Sequence, residues 1–237
     1  MILNFDWTDT ADRIDGMSTS SVRSSSNRSG LLGDRLSPSK GERQRQAILD
    51  GLTSLLATRP ISDLTIGEIA AEARVNRSGY YFYFESKYTA LAVMTSDIWT
   101  ELMDKAQAFV RSDTESIEDY LARTAGTAVD TWHAHDAVLV ASIQAIPLDE
   151  QIAAMWKSWN ERLADILSAQ VVKDRAAGLA HPVASDVPAL ITALLEMTMH
   201  LFYQDRLNSC APEDTRRMLE NVNAIWLASA WGIVPSA

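Results

Sequence analysis

Residues 76–84 read NRSGYYFYF, five consecutive aromatics behind an Asn, an Arg and two small residues, in a chain that is only 8% aromatic overall. Five adjacent rings cannot all face one side of a helix, because positions four apart share a face and their neighbours do not. Tyr80 and Phe84 fall together, and are expected in a small core with Ile48, Leu52, Ile69 and Leu91. Arg77 and Tyr81 share a different face, displaced toward solvent. A guanidinium beside a phenol suits a DNA surface: Arg can reach guanine O6/N7 or a phosphate, and Tyr can donate to a phosphate oxygen. Ser78 and Gly79 keep the helix start low, so that the backbone can approach base edges.

The flanking residues set this stretch in a helix-turn-helix. Ile48, Leu52, Leu55 and Leu56 form the apolar stripe of a first helix that stops near Arg59-Pro60. Thr65 with Glu68 three residues on is a capping box for a second helix, whose inner face is Ile66, Ile69, Ala70 and Ala73. Asn76 caps the third helix and Ser86 a fourth, running to about 108 with Leu91, Met94, Ile98 and Leu102 inward. Lys87 places a cation at that helix's positive end, unfavourable by about 0.3–1 kcal/mol. A bound phosphate would reverse the sign; the alternative is a solvated surface lysine.

Further stripes follow: Ile117, Leu121, Thr124, Ala128 and Trp132; a short segment at 136–146; Ile152, Met155, Trp156, Trp159, Leu163 and Ile166; an almost wholly apolar 187–203; and a last helix after Pro212, to about Trp231. With no strand-like alternation, the fold class is all-α, about nine helices. Residues 1–40 are read as a disordered tail, either an untidy terminus or a basic arm that touches DNA. A reading domain is placed at 41–88 and a larger helical body at 89–237.

Net charge is −10, all of it carried by residues 91–237, with 20 acids and 10 bases; residues 1–40 and 41–90 are each neutral. A neutral first third can approach a polyanion while the acidic remainder stays away. No apolar run approaches the roughly 18–20 residues of a membrane span. The start, MILNFDWTDTADRIDG, lacks a basic n-region, so no signal peptide is expected, and the single Cys210 suits a reducing cytoplasm. Catalytic chemistry and cofactors are not expected. His133 and His135, two apart, do not share a helix face and make no metal site. His200, on an apolar helix, is read as a core histidine, and Cys210 among acidic neighbours as unreactive.

The stretch TIGEIAAEARVNRSGYYFYFESKYTAL resembles the DNA-binding motif of TetR/AcrR-type bacterial transcriptional regulators, through Thr65, Ile69-Ala70, Ala73, Val75, Asn76, Tyr81, Phe84, Ser86-Lys87 and Leu91 in order. LITALLEMTMHLF and IWLASAWG are similar to the ethionamide-repressor branch. The resemblance implies a homodimeric regulator, a repressor by family default, with the 76–82 helix in the major groove of a palindromic operator. It implies DNA contacts from Thr65, Asn76, Arg77, Ser78, Gly79, Tyr81 and Lys87. One position departs: the turn usually carries Gly, where Arg74 stands here. An Arg in the left-handed region costs on the order of 1 kcal/mol, so either the turn differs, or Arg74 serves a phosphate, or it is simply an exposed Arg that the turn tolerates.

For the body the resemblance implies a small-molecule effector. Small side chains at Thr124, Ala125, Gly126 and Ala128 opposite several indoles favour a cavity for an elongated apolar molecule. The expected lining is Leu121, Thr124, Ala128, Trp132, Trp156, Trp159, Asn160, Leu163, Thr198, Phe202 and Trp226. The dimer face is expected at Leu190, Leu194 and Leu201 with Met218, Val222 and Ile225, because helices apolar all round need cover. The competing expectation is a helical small-molecule-binding protein without sequence-specific DNA binding.

Overall fold

The computed structural model describes residues 39–105 and 109–234; the expected tail lies, up to residue 38, outside them. Among the described residues there are nine α-helices and no strand. The first is α1 (Lys40–Leu56), capped by Ser39, the oxygen acceptor of a capping box with Glu42, so the last two residues of the expected tail belong to this helix and its cap. A 3-10 turn (Ile61–Asp63), missed in the sequence, leads into α2 (Ile66–Glu72). The short α3 (Arg77–Tyr83) and the long α4 (Lys87–Asp104) follow. All three predicted caps are made: Thr65 Oγ1, Asn76 Oδ1 and Ser86 Oγ each accept from the backbone N–H three residues on.

The turn between α2 and α3 does not deviate to suit its arginine. Arg74 sits at φ 56°. Val75 N–H donates to Ala70 O at 2.9 Å and Arg74 N–H to Ala71 O at 3.0 Å, the paired closure in which a left-handed residue follows the helix end. Packing holds the strain: Val75 rests against the core. A Cβ on Gly51 of α1 would lie 3.1 Å from Ala73 N, so α1 and α2 meet almost backbone to backbone. Arg74→Gly is therefore expected to raise stability by about 1 kcal/mol, read as a higher urea midpoint at unchanged slope. No gain would contradict this reading of the turn.

The body comprises α5 (Ile117–Ala134), α6 (Asp136–Ala145), α7 (Glu150–Ala176), α8 (Val187–Leu207) and α9 (Pro212–Trp226), closed by a π turn (Leu227–Trp231). The longest, α7, packs along α8, while α5 lies on α9. Two routes join the reading end to the body. Helix α4 runs on from α3 and packs on α6 and α7, and α6 itself touches α1 and the 3-10 turn. Among the described residues, no single helix is long and apolar enough to cross a membrane.

Candidate nucleic-acid interface and ligand core

Tyr80 and Phe84 are buried, their ring centroids 5.8 Å apart, in a core with Ile48, Leu52, Ile69 and Leu91. Burial pushes the Tyr80 phenol far above its usual pKa, so its hydroxyl stays a donor, 3.1 Å from Ser86 O. Arg45 lies over the Phe84 ring at 5.6 Å. These contacts fix the orientation of α3, and with it the side chains that look outward. Arg77, Ser78, Tyr81 and Phe82 are all exposed.

The other residues expected at DNA have local work. Thr65 Oγ1 donates to Glu68 Oε2 at 2.7 Å, and Arg59, at 2.8 Å, chiefly holds the Glu68 carboxyl down at about 2. Asn76 Oδ1 takes the Gly79 N–H at 2.6 Å. Gly79 also has a packing role: a Cβ there would sit 3.2 Å from Asn76 Oδ1 and 3.4 Å from Gln44 Nε2, toward α1. Lys87 is not a freely solvated lysine. Its ammonium donates to Ser62 O and Leu64 O, each at 2.9 Å, and its partial desolvation lowers its pKa. Two of its three protons thus tie the start of α4 to the 3-10 turn, leaving one for a phosphate.

In the body, Leu121, Thr124, Trp132, Trp156, Trp159, Leu163, Thr198, Phe202 and Trp226 are buried, with Ala128 and Asn160 half-buried. The cluster has a member that the sequence reading missed. Trp99 of α4 stacks on Trp159 (5.9 Å, 11°) and meets Trp156 edge-on at 5.3 Å. It lies beside Ile98 on α4's inward stripe, which was the available signal. The polar atoms divide into two sets. Trp226 Nε1 donates to Thr198 Oγ1 at 2.9 Å, and Thr198 donates to Leu194 O, so the hydroxyl of this expected lining residue is already engaged. Trp156 Nε1 is held by Ser142 at 3.1 Å. By contrast, Trp99 Nε1, Asn160 Oδ1 and Ser168 Oγ are buried with no partner, each costing about 1–3 kcal/mol. A Cβ added at Gly126 would meet nothing within 4 Å, but its face neighbours Ala122 and Asp130 are exposed, so the space there opens to solvent and not, as expected, toward the indoles.

Much of the apolar surface of α8 and α9 is covered within the protomer, that of α8 chiefly by α7 and α6 and that of α9 by α5. Leu194 and Val222, expected at a dimer face, are 6% and 1% exposed and belong to the protomer's own core. Leu190, Leu201 and Met218 are half-buried and Ile225 is 40% exposed, so these keep surface to offer. His200 is not a core histidine: it is exposed, its ring 6.4 Å from that of Tyr203. His133 and His135 pair with different carboxylates, Asp205 at 3.6 Å and Glu101 at 3.5 Å. Among the described residues no three His, Cys, Asp or Glu side chains are grouped to hold a metal.

The family comparisons agree with this geometry. Residues 48–91 match the model "Bacterial regulatory proteins, tetR family", and residues 121–232 match "Transcriptional regulator EthR, C-terminal domain". The HTH-type transcriptional regulator EthR of Mycobacterium tuberculosis is 24% identical over 201 residues, spanning 84% of this chain and 93% of its own. EthR of Mycolicibacterium smegmatis is 22% identical over 205 residues, 86% and 93% of the two chains. Among solved structures, a putative TetR-family regulator from Syntrophomonas wolfei superposes with a TM-score of 0.64 at 16% identity, covering 84% of this chain and all of that one. The fatty acid degradation regulator FadR from Bacillus halodurans gives 0.62 at 15% identity, covering 78% and 94%. The chain belongs to the TetR family of bacterial transcriptional regulators, DNA-binding proteins rather than enzymes, and within it resembles EthR.

Proposed function

We propose that the protein is a cytoplasmic, homodimeric repressor that binds a palindromic operator and leaves it when an elongated, hydrophobic small molecule enters the body. In this reading residues 41–88 read DNA and residues 89–237 bind the effector and the second subunit. The observation that carries it is the division of α3 into two faces, with Tyr80 and Phe84 locked inward while Arg77, Ser78 and Tyr81 stand exposed in a row. An arginine and a tyrosine on one face supply a base-edge or phosphate contact and a phosphate donor.

Two features support the effector part: the indole cluster, and the unpartnered Trp99 N–H and Asn160 carbonyl. An apolar molecule with one acceptor and one donor would satisfy both orphans. Trp99 lies twelve residues along α4 from Lys87, about 18 Å at the helical rise. Lys87 is tied to the reading end through Ser62 O and Leu64 O. A ligand that displaces α4 at Trp99 therefore moves the reading end as a unit. Only a difference in ligand affinity between the two shapes can drive that shift. Leu190, Leu201, Met218 and Ile225 are the apolar surface proposed to meet a second copy.

The test is selection of bound fragments from fragmented genomic DNA with wild type and Arg77→Ala/Tyr81→Ala in parallel. Wild type alone should recover a palindromic fragment, with the double variant weakened about 10- to 100-fold. Apolar, and not charged or sugar-like, compounds should then release it. Recovery of no specific fragment, with or without candidate ligands, would move the assignment to a ligand-binding protein without an operator.

A further inference from the structure

Phe82 is 81% exposed, the most exposed of the large apolar side chains among the described residues. Within 39–105 the only other large exposed one is its neighbour Tyr81, at 48%. Each helical residue turns about 100°, so Phe82 stands about 200° round from the buried Tyr80, on the ridge that Ser78 begins and directly away from the core. Arg77 and Tyr81 flank that ridge on one side. The ring does not hang free: it meets Tyr83 edge-on, centroids 5.0 Å apart, and the Tyr83 hydroxyl lies 3.3 Å from Gln44 Oε1 on α1. A held, uncharged ring therefore stands beside the exposed Arg77, Ser78 and Tyr81, the groups proposed to contact DNA. Beyond the Tyr81 ring, which carries a hydroxyl, its exposed neighbours Arg77 and Ser78 are polar, so it is no part of a wide apolar patch of the kind that binds protein. Phosphates offer such a ring nothing. The floor of the major groove does offer one apolar group, the 5-methyl of thymine, which a Phe side chain can contact.

We infer that Phe82 is a specificity-determining residue that reads thymine, its ring seated on one 5-methyl group in each half-site. This rests on the operator-binding reading above. The test compares wild type with Phe82→Ala in selection from a randomised duplex pool, then on duplexes with deoxyuridine, which lacks the methyl, replacing each thymine in turn. A circular-dichroism melt checks that the variant folds, as expected for so exposed a position. Wild type should enrich a thymine at one position per half-site and lose roughly fourfold in affinity for each methyl removed there, the worth of one buried methyl group. Phe82→Ala should neither enrich that thymine nor respond to deoxyuridine, while keeping its other base preferences. Retention of the same thymine by Phe82→Ala, or indifference of wild type to deoxyuridine everywhere, would overturn the inference. So would unchanged selection with an altered sedimentation state, the mark of a protein-contact residue. Failure of wild type to enrich any sequence would instead remove the operator reading itself, and this inference with it.

Discussion

Replacing Asp174 by Ala is expected to cost about 3–5 kcal/mol, a large part of a domain's total stability of about 5–15 kcal/mol. Asp174 is 1% exposed and its partner Arg111 is 7% exposed. Arg111 Nη2 donates to Oδ1 at 2.6 Å and Nε to Oδ2 at 3.3 Å. Gln170 Nε2 adds a bond to Oδ1 at 3.1 Å, and Trp231 Nε1 one to Oδ2 at 2.9 Å. One carboxylate thus joins the segment before α5, the α7 helix and the closing π turn. Truncation strands a buried cation, an indole N–H and an amide together, which is why the loss exceeds that of an ordinary ion pair. Exposed pairs such as Lys157–Glu161 are expected to contribute only about 0–1 kcal/mol. Urea denaturation reads the difference as a lower midpoint, and a loss below about 1 kcal/mol would refute the network's role.

The same carboxylate gives the stability a pH dependence of fixed sign. Burial alone would raise the Asp174 pKa, but the bonds from Arg111, Trp231 and Gln170 outweigh it and hold the group below its usual value. Unfolded, the group titrates near its ordinary value of about 3.9. Its contribution is therefore fully present above that pH and is lost as pH falls through the depressed folded value. Wild type should lose this contribution on acidification, while Asp174→Ala, having already lost it, should show a flatter profile between about pH 5 and pH 2. Equal slopes for the two proteins would place the acid sensitivity elsewhere.

What could be read in the sequence was local. Thr65, Asn76 and Ser86 each accept from a backbone N–H three residues on, so short spacing alone sufficed to set the starts of α2, α3 and α4. Tyr80 and Phe84 followed from the four-residue period. What could not be read depends on chain far away. The Lys87 ammonium is engaged by carbonyls 23 and 25 residues back, beyond any local pattern. On α8, hydrophobicity nearly all round signalled cover on every side, but not whose atoms supply it. Ile191, Leu194, Leu195 and Phe202 turned out to be covered by the protomer itself, while His200 faces out. A stripe likewise puts Trp159 inward without revealing that Trp99 stacks on it while lacking a partner for its N–H.

Two adjacent tyrosines on α3 should fail in opposite ways. Tyr80→Ala removes a ring with no exposed surface, at a cost of about 3–5 kcal/mol for a large buried aromatic. The helix has seven residues, too few to hold itself without packing. The reading surface should therefore dissolve, and operator binding vanish, although Tyr80 itself never faces DNA. Tyr80→Phe keeps the ring and loses only the bond to Ser86 O, about 1 kcal/mol, so it should bind nearly as wild type does. Tyr81→Ala, at a site 48% exposed, should melt within about 0.5 kcal/mol of wild type yet bind operator several-fold more weakly, through loss of the phosphate contact proposed for its hydroxyl. Its salt dependence should not change slope, because a phenol releases no counterion. Circular-dichroism melts beside anisotropy titrations at two salt concentrations separate these cases. If Tyr81→Ala melts early, or Tyr80→Ala stays folded and binds, then the division of α3 into a holding face and a reading face is wrong.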